Sequence, residues 1–346
     1  MKKSILLTVL AGGCITLAFA WGAWGHQHIN RASVFALPDE MRPFFYNHID
    51  FITEESVIPD LRKYTINDKA EFPRHYIDLE LFGDGPVSSL PQTMAEAKSR
   101  YADTFLTRAG ILPWYIQEME AKLTKAFKAG AKTEILFLAA DLGHYIGDAH
   151  MPLHTALNHN GQLTGQKGIH GFWEGQLPEM FGKGYNLNTG PARYIDDITR
   201  ETWLMIDSTH RLAETLLAAD RELAAGLPKD SIYVLDSSGN ILANRFGDLV
   251  HSRAYAVKYH ARLNGMIERQ LQKAIAETAS YWYTAWVNAG KPDLSGLDPS
   301  SLTERNKKFL ARDLRVWKQG KVDMFNPAME YPQLGGRPGD AGHSGQ

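Results

Sequence analysis

Cysteine is almost absent from this 346-residue chain, since the single example, Cys14, lies within the first twenty residues. Without a pair of thiols the sequence excludes a disulfide framework and a cysteine-rich metal site. A bound metal ion would have to be held by nitrogen and oxygen ligands alone. Leu10 stands one place too far from Cys14 for a lipoprotein signal, so we expect no lipid anchor.

A strong charge of either sign is also missing, because the formal net charge is −2. This excludes a broad basic surface for nucleic acid, so any such contact must be confined to a site. Beyond the amino terminus we find no apolar run long enough to cross a bilayer. P-loop, G-x-S-x-G and H-E-x-x-H motifs are absent as well, which leaves other hydrolase and nucleotide-binding classes without a motif.

The first twenty residues have the pattern of a secretory leader. A basic start, 1–4, is followed by the apolar segment 5–16 and by Ala18-Phe-Ala20, a small-x-small cleavage site. Cleavage there makes Trp21 the first residue of an exported protein, which would be periplasmic or secreted. We therefore predict a leader over 1–20, one functional domain over 21–325 and a disordered Pro- and Gly-rich tail over 326–346.

Helix-period patterns dominate the domain, which predicts a mostly α, single-domain multi-helix bundle with few or no strands. The predicted segments are a helix ending near Phe35 and helices over 41–52, 92–108, 112–129, 133–150, 192–225, 243–289 and 301–318. The exception is Ser231-Ile-Tyr-Val-Leu235, which we expect to pair with Ile241-Leu242 as a small hairpin.

The segment 144–154 concentrates metal-binding residue types at the end of the apolar run 135–140. On a helix, His144 and Asp148 at i and i+4 project from one face. Pro152 then ends the helix, so that His154 approaches from another direction. A tetrahedral zinc site needs ligands that converge in this way. The alternative for such a pair taken alone is a buried amphipathic helix with satisfied polar groups.

Further candidate ligands decide between these interpretations. Before and after the central segment the chain carries Trp21, His26, Asp60, His75, His170 and Glu174. With them the sequence resembles the trinuclear-zinc superfamily of bacterial phospholipases C and single-strand-specific, mung-bean-type nucleases. The motifs that carry the resemblance are an amino-terminal Trp followed by a His, an isolated Asp, His-aromatic-x-Asp, His-x-x-x-Asp-x-x-x-x-x-His and a later His-x-x-x-Glu. They lie within 21–174, about half of the chain.

The resemblance implies three zinc ions as cofactor. By this likeness, the first zinc is held by Asp60, His75, His144 and Asp148, the second by Trp21, His26 and a bridging Asp148, and the third by His154, His170 and Glu174. It also implies that a hydroxide shared by the first two ions attacks phosphorus while the third stabilises the departing oxygen. Asp60 and Asp148 are then both ligands and catalytic residues.

Substrate class remains open between two branches of the superfamily. Tyr76 and Asp78 resemble the nuclease element that stacks on a base and accepts its hydrogen bonds, and Arg62 or Lys63 resembles the phosphate-binding cation of nucleases. Glu174, the short Gly-rich loop before His170 and the lack of cysteine favour a phospholipase C.

We interpret the chain as a nuclease acting on single-stranded nucleic acid or nucleotides, with phospholipase C as the alternative. A noncatalytic zinc-stabilised binding protein is the third hypothesis, which open metal coordination positions would argue against. Nothing in the sequence indicates a stable protein partner.

Overall fold

The computed structural model describes residues 22–243, 249–298, 302, 304–322 and 324. The predicted leader, Trp21 and the predicted tail lie outside this part of the chain. None of the helices in the described part combines the length and apolarity that a bilayer crossing requires.

Regular structure in the described residues is helical, as predicted. The α-helices are α1 (Gly22–Ala36), α2 (Arg42–Asn47), α3 (Ile49–Glu55), α4 (Ile58–Tyr64), α5 (Met94–Arg100), α6 (Asp103–Ala109), α7 (Leu112–Ala129), α8 (Lys132–Ala149), α9 (Ile169–Gly171), α10 (Leu177–Phe181), α11 (Ile198–His210), α12 (Ala213–Ala224), α13 (Lys229–Ile232), α14 (Arg253–Arg262), α15 (Met266–Asn288) and α16 (Glu304–Lys318). Short 3₁₀ turns include Phe72–His75 and Pro152–Thr155, and a π-helical turn spans Phe172–Gln176.

Four of the predicted helices are each divided in the structure. The segment 192–225 forms α11 and α12, and the segment 243–289 forms α14 and α15, with 249–252 outside any helix. The causes of the other two breaks are visible. The segment 41–52 forms α2 and α3, which meet at His48, whose imidazole is bound by Asp298 at 3.1 Å. The segment 92–108 forms α5 and α6, because Tyr101 is extended and its ring stacks on Phe105 at 4.9 Å. In both cases side-chain packing interrupts a pattern that would otherwise continue as one helix.

The predicted hairpin is present as isolated antiparallel bridges. Leu235 pairs with Ile241, and two further bridges join Tyr233 to His251 and Ala243 to Leu249. Residues 244–248, between the last two partners, lie outside the described part of the chain.

Helix α8 lies at the centre of the fold, packed against α1, α7 and α15. Asn30 of α1 donates from its amide to the carbonyl oxygen of Ala140 at 3.0 Å and to that of Ile52 at 3.2 Å. Gly143 makes this approach possible, because a Cβ there would lie 2.0 Å from Asn30 Oδ1. The close contact fixes how α1 faces α8, and these two helices carry the first functional side chains.

Two apolar clusters surround this central pair. One includes Phe45, whose ring stacks on Trp282 of α15 at 5.1 Å. The other includes Phe172 and Tyr259, whose rings lie 5.3 Å apart. Burial of this much aromatic surface supplies most of the driving force for folding. It also holds polar groups of α1 and α8 in a fixed position inside the protein.

Candidate metal centre

Four separate elements bring five ionisable side chains together between α1 and α8. We call the set the inner group: His26 from α1, Asp60 from α4, His75 from the turn Phe72–His75, and His144 and Asp148 from α8. All five are fully buried, at 0% exposure. Charged and polar groups are this deeply buried only when they are paired or bind a metal ion.

Asp148 is the centre of the inner group. Its Oδ2 lies 2.9 Å from His75 Nδ1 and 3.3 Å from His144 Nε2. Its Oδ1 lies 3.5 Å from His26 Nε2 and 3.6 Å from His154 Nδ1. Two carboxylate oxygens that face different imidazoles are what a bridging ligand requires.

Several buried atoms of the inner group make no hydrogen bond to any described residue. They are both ring nitrogens of His26, Nε2 of His75, both carboxylate oxygens of Asp60, and Oδ1 of Asp148. A buried polar atom left without a partner costs about 1–3 kcal/mol. Imidazole nitrogens and carboxylate oxygens bind metal ions, and each of these residues offers one such atom close to those of its neighbours, so a cation fits the site.

The structure groups the candidate ligands into three sets, and the ligand atoms within each set lie within 4.8 Å of one another. The sets are His26, His144 and Asp148; Asp60, His75 and His144; and His154, His170 and Glu174. The first two share His144. The third set, which we call the outer group, is the same as predicted. In the inner group the rings of His26 and His144 stack at 3.8 Å, so His144 approaches both predicted positions rather than the first alone. Trp21, the remaining predicted ligand, lies outside the described residues.

The outer group is built by a short stretch of chain that follows α8. The turn Pro152–Thr155 redirects the backbone and presents His154, as the proline predicted. His170 Nε2 lies 3.0 Å from Glu174 Oε1, and His154 Nε2 lies 3.5 Å from Glu174 Oε2. Glu174 stands in the π-helical turn, a feature frequent at functional sites.

Backbone carbonyls orient three of the imidazoles. Nδ1 of His144 lies 2.8 Å from the Ser56 carbonyl, Nδ1 of His170 lies 2.8 Å from the His159 carbonyl, and Nδ1 of His154 contacts the His75 carbonyl. A carbonyl oxygen only accepts, so Nδ1 carries the proton in each ring. Nε2 is then the ring nitrogen that would bind a metal ion, after losing any proton that it carries. Sequence analysis missed these carbonyls, because a main-chain group leaves no residue-type signal.

Burial raises the pKa of Asp60, whereas the pKa values of Asp148 and Glu174 are lowered by the histidines around them despite burial. Burial raises the pKa of Glu174, but the charge of His170 and hydrogen bonds from the two outer histidines hold it at about 2. Burial lowers the pKa of His144, but the Asp148 carboxylate outweighs this and raises it to about 9. The pKa of His26 falls well below its usual value because of burial and the neighbouring His144. The site therefore holds negative oxygens next to a neutral imidazole.

The two candidate cations behave differently. Arg62 donates from its guanidinium to Asp141 Oδ2 at 2.6 Å and to Glu71 Oε2 at 3.2 Å, so it is engaged in a network beside the site. Lys63 is 9% exposed. Burial lowers its pKa, but the charges of Tyr64, Asp60 and Asp148 outweigh this and raise it. Arg62 is thus engaged by two carboxylates, whereas Lys63 Nζ lies over the rings of Tyr64 and Phe72. The phosphate contact of Arg62 or Lys63 remains a prediction.

Tyr76 and Asp78 flank the outer group. The intervening Ile77 donates its N–H to the carbonyl oxygen of His154 at 2.8 Å. Tyr76 is half-buried, and its hydroxyl donates to the Arg108 carbonyl at 3.2 Å, which fixes the ring. Asp78 is 7% exposed, and burial together with the Glu80 carboxylate raises its pKa to about 6. Their predicted roles toward a base remain predictions.

Comparison with known proteins gives limited similarity. No protein-family model and no curated protein matches the chain. Among solved structures, the alpha-toxin of Clostridium perfringens from avian strain SWCP aligns with a TM-score of 0.46 and 14% identity, covering 80% of this chain and 66% of the toxin chain. The chain thus spans slightly less than two thirds of the toxin. At this similarity the likeness assigns no activity, which has to be argued from the site.

Proposed function

We propose that this protein is an exported zinc-dependent phosphodiesterase, and that it acts on single-stranded nucleic acid or nucleotides. One observation carries the proposal: Asp148 faces three inner imidazoles and also the outer His154, with unpaired carboxylate oxygens directed to the same place. The inner and outer groups are therefore parts of one polynuclear centre rather than unrelated clusters.

The donor set fits zinc. It contains only imidazole nitrogens and carboxylate oxygens, both common zinc ligands. The inner group would hold two ions, with Trp21 completing one of them, and the outer group would hold the third through three side chains. Three protein ligands leave a coordination position open, which is typical of a catalytic rather than a structural zinc site. Zinc bound there would supply Lewis acidity toward water and toward a phosphoryl oxygen.

The chain's own residues provide binding and orientation. The carboxylates of Asp148 and Glu174 fix the imidazoles from two sides, and the carbonyls of Ser56 and His159 set their tautomers. Lys63 provides a positive charge for a phosphate, whose negative charge increases during displacement. Preorganised charges of this kind act strongly because the buried site excludes water.

Tyr76 supports a nucleic-acid substrate. Its ring is held by the bond from its hydroxyl to Arg108 and is only half-buried. If a base stacks on this ring, little further side-chain freedom is lost, because the hydroxyl bond already restricts the ring. Stacking of a base on an aromatic face contributes about 1–3 kcal/mol and tolerates any base, as a nonspecific nuclease requires.

A phospholipase C is the second candidate, favoured by exposed apolar side chains on ligand-bearing segments. Tyr64 and Ile66, at and just after the end of α4, are 48% and 72% exposed, and Leu163 in the Gly-rich loop before His170 is 65% exposed. Side chains of this kind would suit contact with a lipid surface.

The test uses mature protein beginning at Trp21 and loaded with zinc. We expect it to release acid-soluble nucleotide from denatured DNA, and the release to disappear after chelation. Release of the phosphorylated head group from phosphatidylcholine micelles, without release of nucleotide from DNA, would show that the protein is a phospholipase C rather than a nuclease. A zinc-loaded protein inactive on both would contradict the phosphodiesterase proposal.

Tyr76→Ala tests the stacking role. We expect it to raise KM on denatured DNA about 10-fold, in line with the loss of one stacked base, with little change in kcat. Tyr76→Phe is the matched control, since it keeps the ring and removes only the hydroxyl bond to Arg108. An unchanged KM in the alanine variant would mean that the bases of the substrate do not stack on Tyr76.

A further inference from the structure

His75 is oriented in the opposite sense to the other imidazoles of the centre. In His144, His154 and His170, Nδ1 meets a carbonyl and Nε2 faces the ligand group. In His75 it is Nδ1 that faces the group, at 2.9 Å from Asp148 Oδ2 and 3.7 Å from Asp60 Oδ1. For Nδ1 to bind a cation, the ring proton must reside on Nε2, at the far side of the ring.

The group on that far side is the carboxylate of Glu71. Its Oε1 lies 3.5 Å from His75 Nε2, four residues earlier in the chain, and Glu71 is fully buried. His75 Nε2 is buried and makes no hydrogen bond to a described residue in this arrangement, and the Glu71 carboxylate is the anion that lies beside it. Glu71 belongs to none of the three sets that could hold a metal ion, so its carboxylate is not itself placed as a ligand.

Glu71 is in turn held by three donors. Its Oε2 accepts from Arg74 at 2.8 Å and from Arg62 at 3.2 Å, and its Oε1 accepts from the hydroxyl of Tyr145. Burial raises the pKa of Glu71, but the proximity of His75, the hydrogen bond from Tyr145 and the charge of Arg62 hold it below its usual range. The carboxylate is thus a fixed anion, supported on the side away from His75 by two guanidinium groups.

We propose that Glu71 is a positioning residue of the metal centre, which accepts the Nε2–H of His75 and so directs Nδ1 toward Asp60 and Asp148. The proposal rests on the zinc-binding part of the proposed function. A carboxylate behind a metal-binding imidazole fixes the tautomer and increases the basicity of the ligand nitrogen. Arg62 then supports Glu71 from behind.

Zinc affinity is the first readout. Glu71→Gln keeps the side-chain volume and removes the charge, so we expect it to weaken one of the bound zinc equivalents about 10- to 100-fold in chelator competition. Asp141→Asn is the matched control, because Asp141 shares the partner Arg62 but does not contact His75. The control should retain wild-type affinity for all equivalents. Equal affinities in the two variants would overturn the proposal.

A second readout does not depend on the variants folding. In zinc-loaded wild-type protein labelled with ¹⁵N-histidine, the His75 ring should show a proton on Nε2 and none on Nδ1, the opposite of His144. A His75 ring protonated on Nδ1 would overturn the proposal. Neither readout uses a substrate. If both readouts give the expected result but the protein cleaves no phosphodiester, the proposed reaction is wrong and the proposed role of Glu71 still holds.

Discussion

The inner and outer groups use the same residue types but are assembled in different ways. The inner ligands come from four elements distributed over residues 26–148, and every one is completely buried. The outer ligands come from residues 154–174, and the side chain of His170 is 23% exposed. One group depends on the packing of distant helices, whereas the other depends mainly on a local turn and a single helical turn.

This difference predicts how each group responds to change. Inner ligands share Asp148, so loss of one contact alters the surroundings of several imidazoles. Outer ligands contact one another through Glu174 and meet the inner group only where His154 approaches Asp148. We therefore expect the inner ions to be lost together and the outer ion to be lost alone, with faster exchange at the more exposed outer position.

Asp148→Asn should have the largest effect. It removes the charge that faces three inner imidazoles and His154, and removal of one partner from a buried ion pair costs about 3–5 kcal/mol. We expect turnover to fall about 1,000-fold and both inner zinc equivalents to be lost, as measured by kinetics and metal analysis. A variant with a near-normal rate would contradict a shared carboxylate.

Glu174→Gln should have the next largest effect on turnover. It should also show whether the outer group binds its metal independently of the inner group. Its carboxylate contacts His154 and His170 only, among the described outer ligands. We expect loss of one zinc equivalent, retention of two, and a fall in turnover of about 100-fold. Loss of all three equivalents would mean that the outer group is not independent.

One alanine added before Trp21 should affect an inner ion, if the terminal amine is a ligand as the resemblance implies. Gly22, the next residue, packs against Gly175 beside Glu174, since a Cβ on Gly22 would lie 3.4 Å from the Gly175 α-carbon. We expect zinc affinity to fall about 10-fold or more. Unchanged zinc content and activity would remove Trp21 from the ligand set.

Gly147→Ala should produce the smallest effect, confined to the inner group. A Cβ at Gly147 would lie 3.0 Å from His26 Nδ1, so the imidazole must shift slightly. We expect zinc affinity to fall a few-fold, measured by chelator competition. Gly184→Ala is the control, because a Cβ there meets no atom within 4 Å; an equal fall in both variants would exclude a specific effect on His26.

The sequence indicated which candidate ligands lie close together better than it indicated their surroundings. His170 and Glu174 were recognisable because the i, i+4 spacing alone brings them together. The different surroundings of Arg62 and Lys63 were not, since adjacent helical residues point about 100° apart and the carboxylates that engage Arg62 come from other elements. Glu71 and His75 have the same i, i+4 spacing, but spacing alone does not distinguish a carboxylate behind an imidazole from a carboxylate that shares its ligand side.

The same limit applies to the fold. Periodicity predicted α7 and α8 almost to the residue, because their buried faces repeat over five turns. It could not predict the break between α2 and α3 at His48. That break depends on Asp298, 250 residues away in the chain, and no local pattern contains this contact.

The measurement that tests the central claim most directly is anomalous X-ray scattering above and below the zinc absorption edge, from crystals of the mature protein. The account predicts three zinc peaks, two among the inner ligands on either side of Asp148 and one between His154, His170 and Glu174. A single peak, or no peak at the inner group in zinc-saturated crystals, would contradict it.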